Sequence, residues 1–187
     1  RDEIGVSDRD TVICQIARVV EWKGYRYFFN AISKLEDVNK IVFVLVGTGK
    51  KQLLQEYKRL TEQLSEDVRI HWLGEREDIS TILAGIDIFT LSSTGGEGFS
   101  NAVAEAMAMQ KPVVVTNVGD SLAVVGDAAI VVDRCDAGAI AKAWLTLITN
   151  PRLAKKLGNL GRQRIIELYS TKRSVVLTEN IMINADQ

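Results

Sequence analysis

Two carboxylates stand eight residues apart in the stretch GGEGFSNAVAEAMA, Gly95 to Ala108. Glu97 lies in a glycine-rich turn, and Glu105 in a run of alanine, valine and methionine. Ser100 to Met109 reads as a helix, whose free N–H groups and positive dipole end favour an anion such as a phosphate. Gly95, Gly96 and Gly98 would form a flexible turn that lets a ligand approach the backbone closely. Ala102, Ala104, Ala106 and Ala108 would let the helix press against its sheet, so that Glu105 emerges in a largely apolar neighbourhood. A carboxylate there needs hydrogen-bond donors, and vicinal sugar or ribose hydroxyls supply them. Glu97, just ahead of the helix, is expected on the other side of the anion, nearer to a sugar attached to it.

Two cations could join that site. Arg18 and Lys23 in ARVVEWKG fall at a strand end and in the loop after it, where a guanidinium and an ammonium can clamp a diphosphate. In isolation the same pair would read as two solvated surface charges. Gly47 in VGTGKK opens what looks like a dinucleotide fingerprint, but the third glycine would fall at Gln52 and no GxxxxGK[ST] loop occurs. A tight turn that lets a ligand meet backbone amides fits these glycines better than a nicotinamide site. His71, the single histidine, sits in a strand beside Trp72 and reads as structural, because a metal site needs partners that the sequence does not provide. The turn Leu73-Gly74-Glu75-Arg76 exposes backbone groups where a base edge could be read.

Positioning these residues falls to an alternation of short β-branched runs and helical patterns. Thr11 to Val19, Lys40 to Val46, Val68 to Leu73, Asp87 to Ser92, Pro112 to Asn117 and Ala128 to Asp133 read as six strands. IVFVLV and PVVVT are almost wholly apolar, as strands covered on both faces require. Helices are expected at Tyr25 to Leu35, Lys50 to Leu64, Ile79 to Ala84, Ser100 to Met109 and Ser121 to Val125. Strict alternation implies right-handed crossovers and an α/β, Rossmann-like doubly wound sheet of six parallel strands with helices on both faces. After Asp133 only helices follow: Ala137 to Thr149, Pro151 to about Tyr169, and Thr171 to Ile183. In such sheets the ligand sits beyond the carboxyl ends of the strands, where strand order reverses.

With 187 residues, 47% of them apolar, residues 1–187 read as one domain with one substantial core. A net charge of -1 gives no broad reason to bind nucleic acid or an anionic membrane, so any phosphate site must be local. Cys14 and Cys135 read as reduced thiols of a cytoplasmic chain. No apolar run is long enough to span a bilayer. The first residues, RDEIGVSDRD, are neither a signal peptide nor an initiator methionine, and the chain reads as a piece of something longer.

Taken together, these segments resemble the C-terminal, nucleotide-sugar-binding half of retaining GT-B glycosyltransferases, in the large group numbered family 4 and also called group 1. ARVVEWKG resembles the family's GR-x4-KG segment, and VGTGKKQLLQ its V-G-x-G segment. VRIHWLGEREDISTILAGIDIFTLSS resembles the strand-turn-helix-strand that follows, and EGFSNAVAEAMAMQKPVVVTNVGD the Glu-x7-Glu signature with its next strand. The resemblance implies that Arg18 and Lys23 hold the donor's diphosphate and stabilise the leaving nucleotide. By the same likeness Glu97 contacts donor sugar hydroxyls, the backbone from Gly98 through Phe99 and Ser100 to Asn101 meets sugar and phosphate, and Glu105 takes the ribose. Backbone at Leu73, Gly74, Glu75 and Arg76 would read the base.

The resemblance further implies transfer of a hexosyl group from a UDP- or GDP-type sugar to an acceptor such as a growing glycan, without cofactor or metal ion. An N-terminal acceptor-binding domain would be the partner, with membrane association through that half and with residues 171–187 packing toward it. The chain departs from the pattern at Ala17, where the family has glycine, and at Gly119 to Val124, which lacks the family's glutamate after the fifth strand. Two other classes suit this architecture: a sugar-nucleotide epimerase, favoured by isomerisation without an acceptor, and a non-catalytic module, favoured if no diphosphate binds.

Overall fold

The computed structural model describes residues 1–37, 40–170 and 173. Among these residues six strands form one parallel sheet: β1 (Thr11–Ile16), β2 (Ile41–Val46), β3 (Arg69–Gly74), β4 (Ile88–Leu91), β5 (Val113–Thr116) and β6 (Ile130–Val132). Their order is β3-β2-β1-β4-β5-β6. The chain thus builds outward from β1 in one direction, returns, and builds outward from β4 in the other. The carboxyl ends of β1 and β4 flank the point where strand order reverses, which is where such sheets hold ligands.

Among the described residues seven helices connect and cover the strands: α1 (Tyr25–Ile32), α2 (Lys51–Glu62), α3 (Ile79–Gly85), α4 (Asn101–Ala108), α5 (Ser121–Val125), α6 (Ala137–Thr149) and α7 (Pro151–Tyr169). The pleat sorts β2 into two faces. Ile41, Phe43 and Leu45 join a core layer with Phe28 of α1, Tyr57 of α2 and Trp144 of α6. Val42, Val44 and Val46 join the opposite layer with Leu83 of α3, Met107 of α4 and Val124 of α5. Both faces of β2 are therefore dry, which is why its six residues are apolar. Trp144 is fully buried, and its indole N–H donates to Thr90 Oγ1 at 2.8 Å, so a helix covering the sheet is keyed to β4.

α7 braces α4 and α5. Gly158 passes so close to the Gln110 carbonyl oxygen that a Cβ would lie 2.1 Å from it. Arg162 donates to the Ala108 carbonyl at 2.7 Å, and Arg164 to those of Val124 and Ala123 at 2.8 and 2.7 Å. Guanidinium groups thus satisfy carbonyls that the ends of α4 and α5 leave without helical partners.

The elements match the sequence expectations in kind and order, with shifts at their ends. β1, expected to reach Val19, ends at Ile16 opposite Val46. Beyond that pair Gly47 adopts φ 131° and the regular ladder ends, although the two segments stay in contact: the Ala17 N–H donates to the Val46 carbonyl at 2.9 Å and the Val19 N–H to that of Thr48 at 2.8 Å, and an isolated bridge joins Val19 to Gly49. The helix expected over Thr171 to Ile183, and the packing expected of residues 171–187, lie outside the described residues apart from Arg173. Among the described residues no helix is long and apolar enough to cross a membrane.

Candidate functional site

The site is built where the loops after β1 and β4 meet. Gln15, a polar residue in an apolar strand, is fully buried. Its Oε1 accepts from the Ser92 backbone N–H at 3.2 Å and from the Ser92 hydroxyl at 2.8 Å, while its Nε2 donates to the Lys23 carbonyl at 3.3 Å. Gly24 closes the junction: its φ is 69°, and a Cβ would lie 1.8 Å from the Ser92 carbonyl oxygen, so only glycine fits. A further bond runs from the Thr94 N–H to the Trp22 carbonyl at 2.8 Å. Side chains in the two loops are thereby held in a fixed relation.

That relation brings Lys23 and Glu97 together. Lys23 Nζ lies 2.6 Å from Glu97 Oε1, with side-chain exposures of only 12% and 4%. The ammonium also sits 4.4 Å from the centroid of the Trp22 ring, a cation–π contact. Ser93, fully buried, donates its hydroxyl to the same carboxylate oxygen. The Ser93 carbonyl in turn accepts from Thr116 Oγ1 at 2.6 Å. Glu97's own carbonyl accepts from the Asp120 N–H at 3.1 Å, under Gly119, where a Cβ would sit 1.7 Å from that oxygen. Three strands, β1, β4 and β5, therefore fix one carboxylate.

Beyond Glu97 the chain enters α4. Gly98, Phe99 and Asn101 are exposed, and Ser100, the residue at the helix cap, is buried. Its side chain makes no capping bond and no acidic residue occupies the first turn, which leaves the positive end of the helix open to an anion. The exposed Phe99 ring rests 5.0 Å from that of Tyr169 on α7. Of the three glycines expected to make this turn flexible, only Gly96 has a positive φ, and it lies under the Trp22 ring.

The remaining expected residues are distributed around this centre. Arg18 is exposed and forms no ion pair among the described residues. Gly47 donates to the Gly74 carbonyl at 2.6 Å, which links the turn after β2 to the turn after β3. Leu73 packs into the core layer beneath α3, and Glu75 is exposed. Arg76 spends its guanidinium within the fold: Nε and Nη2 reach Asp78 at 2.7 and 2.8 Å, and Nη1 and Nη2 reach Glu3 at 2.6 and 3.2 Å. The backbone of the turn is what remains for a ligand.

Glu105 departs from the expected surroundings. It is exposed rather than set among apolar groups, because α4 buries Val103, Ala106 and Met107 and residue 105 falls on another side of the helix. Its carboxylate makes no bond with another described side chain, whereas that of Glu97 is nearly enclosed. His71 lies half-buried in the edge strand β3, where burial first and the nearby Arg69 second lower its pKa. No cluster of metal-ligating side chains occurs among the described residues. Cys14 is buried, which pushes its thiol pKa up, and Cys135 is exposed; both are free.

Three features of the site escaped the sequence reading: the direct Lys23–Glu97 contact, the Ser93 hydroxyl on it, and the Gln15–Ser92 lock. The one visible signal was Gln15 itself, an amide inside the apolar run VICQIA.

The family model for group 1 glycosyl transferases matches residues 10–150. Among curated proteins the chain is 26% identical over 161 residues to a lipopolysaccharide core biosynthesis glycosyltransferase, LpsE, of Rhizobium meliloti, covering 85% of this chain and 46% of that protein. It is 25% identical over 185 residues to N-acetyl-alpha-D-glucosaminyl L-malate synthase of Bacillus anthracis, covering 97% and 47%. The chain thus spans about half the length of these relatives. Among solved structures, Anabaena HepE in complex with UDP and glucose superposes with a TM-score of 0.88 at 21% identity, over 97% of this chain and 50% of that one. The C-terminal domain of a group 1 glycosyl transferase family protein, LpcC, from Francisella tularensis superposes with a TM-score of 0.75 at 22% identity, over 86% and 87%.

Proposed function

Since the chain belongs to the group 1 glycosyl transferases, we propose that it is the donor half of a retaining hexosyltransferase and binds a nucleoside-diphosphate sugar in the crevice between β1 and β4. The observation that carries this reading is the Lys23–Glu97 pair beside the uncapped start of α4. Cationic and dipolar charge for a diphosphate and a carboxylate for sugar hydroxyls lie side by side. HepE, in the complexes with UDP and glucose and with UDP-glucose, supports a uridine nucleotide sugar as the first donor to test.

Each group then has a task. Arg18, exposed and unpaired, and Lys23 take the diphosphate, and the amides at Gly98 to Asn101 complete its cradle. As the bond to the sugar breaks, negative charge builds on the departing diphosphate, and these fixed donors stabilise it without reorganising. They supply the charge that a metal ion supplies elsewhere, so the proposed reaction needs no metal or cofactor. Glu97 accepts hydrogen bonds from the sugar and fixes its orientation. Glu105, exposed and uncommitted, accepts from ribose hydroxyls, and the backbone at Leu73 to Arg76 meets the base. An acceptor such as a growing glycan is brought by a second, N-terminal half in a cytoplasmic enzyme, which can meet the membrane through that half. Without it this chain binds donor and scarcely transfers.

Calorimetric titration with UDP, GDP and ADP tests the reading. One nucleotide should bind selectively, and Glu105→Ala should weaken it about tenfold, the loss of hydrogen bonds to a charged group. Failure of all three to bind this chain would refute it.

A further inference from the structure

The carboxylate of Glu97 is occupied on one side only. Oε1 accepts from Lys23 Nζ at 2.6 Å and from the Ser93 hydroxyl. Oε2 has no partner among the described residues. It is also absent from the fully buried unpaired side-chain atoms, which among the described residues are Trp72 Nε1 and Ser121 Oγ. With 4% of the side chain exposed, the accessible remainder of the carboxylate includes this oxygen.

Two donors on one oxygen do what one cannot. A single salt bridge to a lysine on a flexible stem leaves the carboxylate free to rotate or to exchange its oxygens. A second donor, from a residue whose own backbone is tied down, fixes the plane. Ser93 is such a residue: it is fully buried, its carbonyl is held by Thr116 Oγ1 at 2.6 Å, and its neighbour Ser92 is locked to Gln15.

We propose that Ser93 is a positioning residue for donor-sugar recognition: its hydroxyl and Lys23 anchor Glu97 Oε1 so that Oε2 is presented to a sugar hydroxyl. This inference rests on the donor-binding reading above and assigns to Ser93 a role in recognising the sugar, with none in holding the nucleotide. The hydroxyl contacts no ligand itself; it acts through Glu97. A free carboxylate would have to be ordered each time a sugar binds, and the anchored one is ordered beforehand.

The test compares paired probes: UDP with UDP-glucose, GDP with GDP-mannose, and ADP with ADP-glucose, titrated calorimetrically into wild-type chain and the Ser93→Ala variant. Whichever pair the wild type binds, the sugar should tighten affinity over the bare nucleotide. Ser93→Ala should cut that sugar increment about tenfold, the worth of a hydrogen bond to a charged group, and leave nucleoside-diphosphate affinity unchanged. Ser93→Cys, close in size but a weak donor, should fall between the two and keeps the test available should the alanine variant fold poorly.

A sugar increment that survives Ser93→Ala but is lost in Glu97→Gln would overturn the role of Ser93 while sustaining the donor site. An equal loss of affinity for nucleotide and nucleotide sugar would overturn it too, because a merely structural residue would behave that way. No binding of any probe to wild type would overturn the donor-binding reading itself, and this inference with it.

Discussion

Removing either member of the Lys23–Glu97 pair should destabilise the chain, and by unequal amounts. The contact is 2.6 Å long, with side-chain exposures of 12% and 4%, so it lies between the surface and interior regimes. Opposite charges about 4 Å apart at an effective dielectric near 20 attract by about 4 kcal/mol, and desolvation of both offsets much of that. Breaking a buried pair from one side costs about 3–5 kcal/mol, because the other charge stays buried and uncompensated. Lys23→Met leaves Glu97 in that position, with only Ser93 on its carboxylate, and should cost about 3 kcal/mol. Glu97→Gln leaves the ammonium, whose long stem lets it swing toward water, and should cost about 1–2 kcal/mol. The double variant should recover part of the summed loss, which reveals the coupling. Urea unfolding of the four proteins at neutral pH measures all of this, provided the slopes agree. Costs below about 1 kcal/mol for both single variants, the range of exposed ion pairs, would refute the reasoning. A site this constrained also predicts that Glu97→Gln, by releasing Lys23, binds nucleoside diphosphate no more weakly than wild type.

Other consequences follow from the same packing. Gly119→Ala should cost several times more stability than Gly5→Ala: both glycines have positive φ, but a Cβ at residue 5 meets nothing within 4 Å while one at 119 lies 1.7 Å from the Glu97 carbonyl oxygen. Gly5→Ala should lose about 1–2 kcal/mol, the left-handed penalty alone; similar urea midpoints for the two variants would contradict the contact at Glu97. Burial holds the His71 pKa below its usual value in the folded chain, so the unfolded chain binds more protons in that window and stability rises with pH through it. Stability should therefore fall as pH drops from the ordinary histidine pKa toward the lower folded one, and His71→Gln should flatten that part of the curve.

The sheet was legible because burial on both faces leaves a mark in composition. IVFVLV and PVVVT cannot be solvent-facing strands, and the alternation with helices fixes parallel topology through crossover handedness. Strand ends were less legible. Nothing local in ARVV says that the regular ladder ends at Ile16, since that depends on the backbone of the partner segment at Gly47. Lys23 and Glu97 were each identifiable as residues able to do chemistry, yet their contact spans 74 residues and exists only because β1 lies beside β4. Arg76 illustrates the same limit from the other side. Its guanidinium looks available in GERED, and its partner Glu3 stands 73 residues away. The exposure of Glu105 was hidden by its alanine neighbours: Ala102, Ala104 and Ala108 are only partly buried, so apolar composition there did not mean an apolar environment.

The central claim, that a nucleoside-diphosphate sugar occupies the crevice between β1 and β4, is tested most directly by mapping amide chemical-shift changes in a two-dimensional 1H–15N spectrum on addition of UDP-glucose, GDP-mannose and ADP-glucose in turn. For the sugar nucleotide that binds, the account predicts changes concentrated at Val19 to Gly24, Gly95 to Asn101 and Leu73 to Arg76. Changes confined to the opposite, amino-terminal edge of the sheet, or none with any of the three, would contradict it.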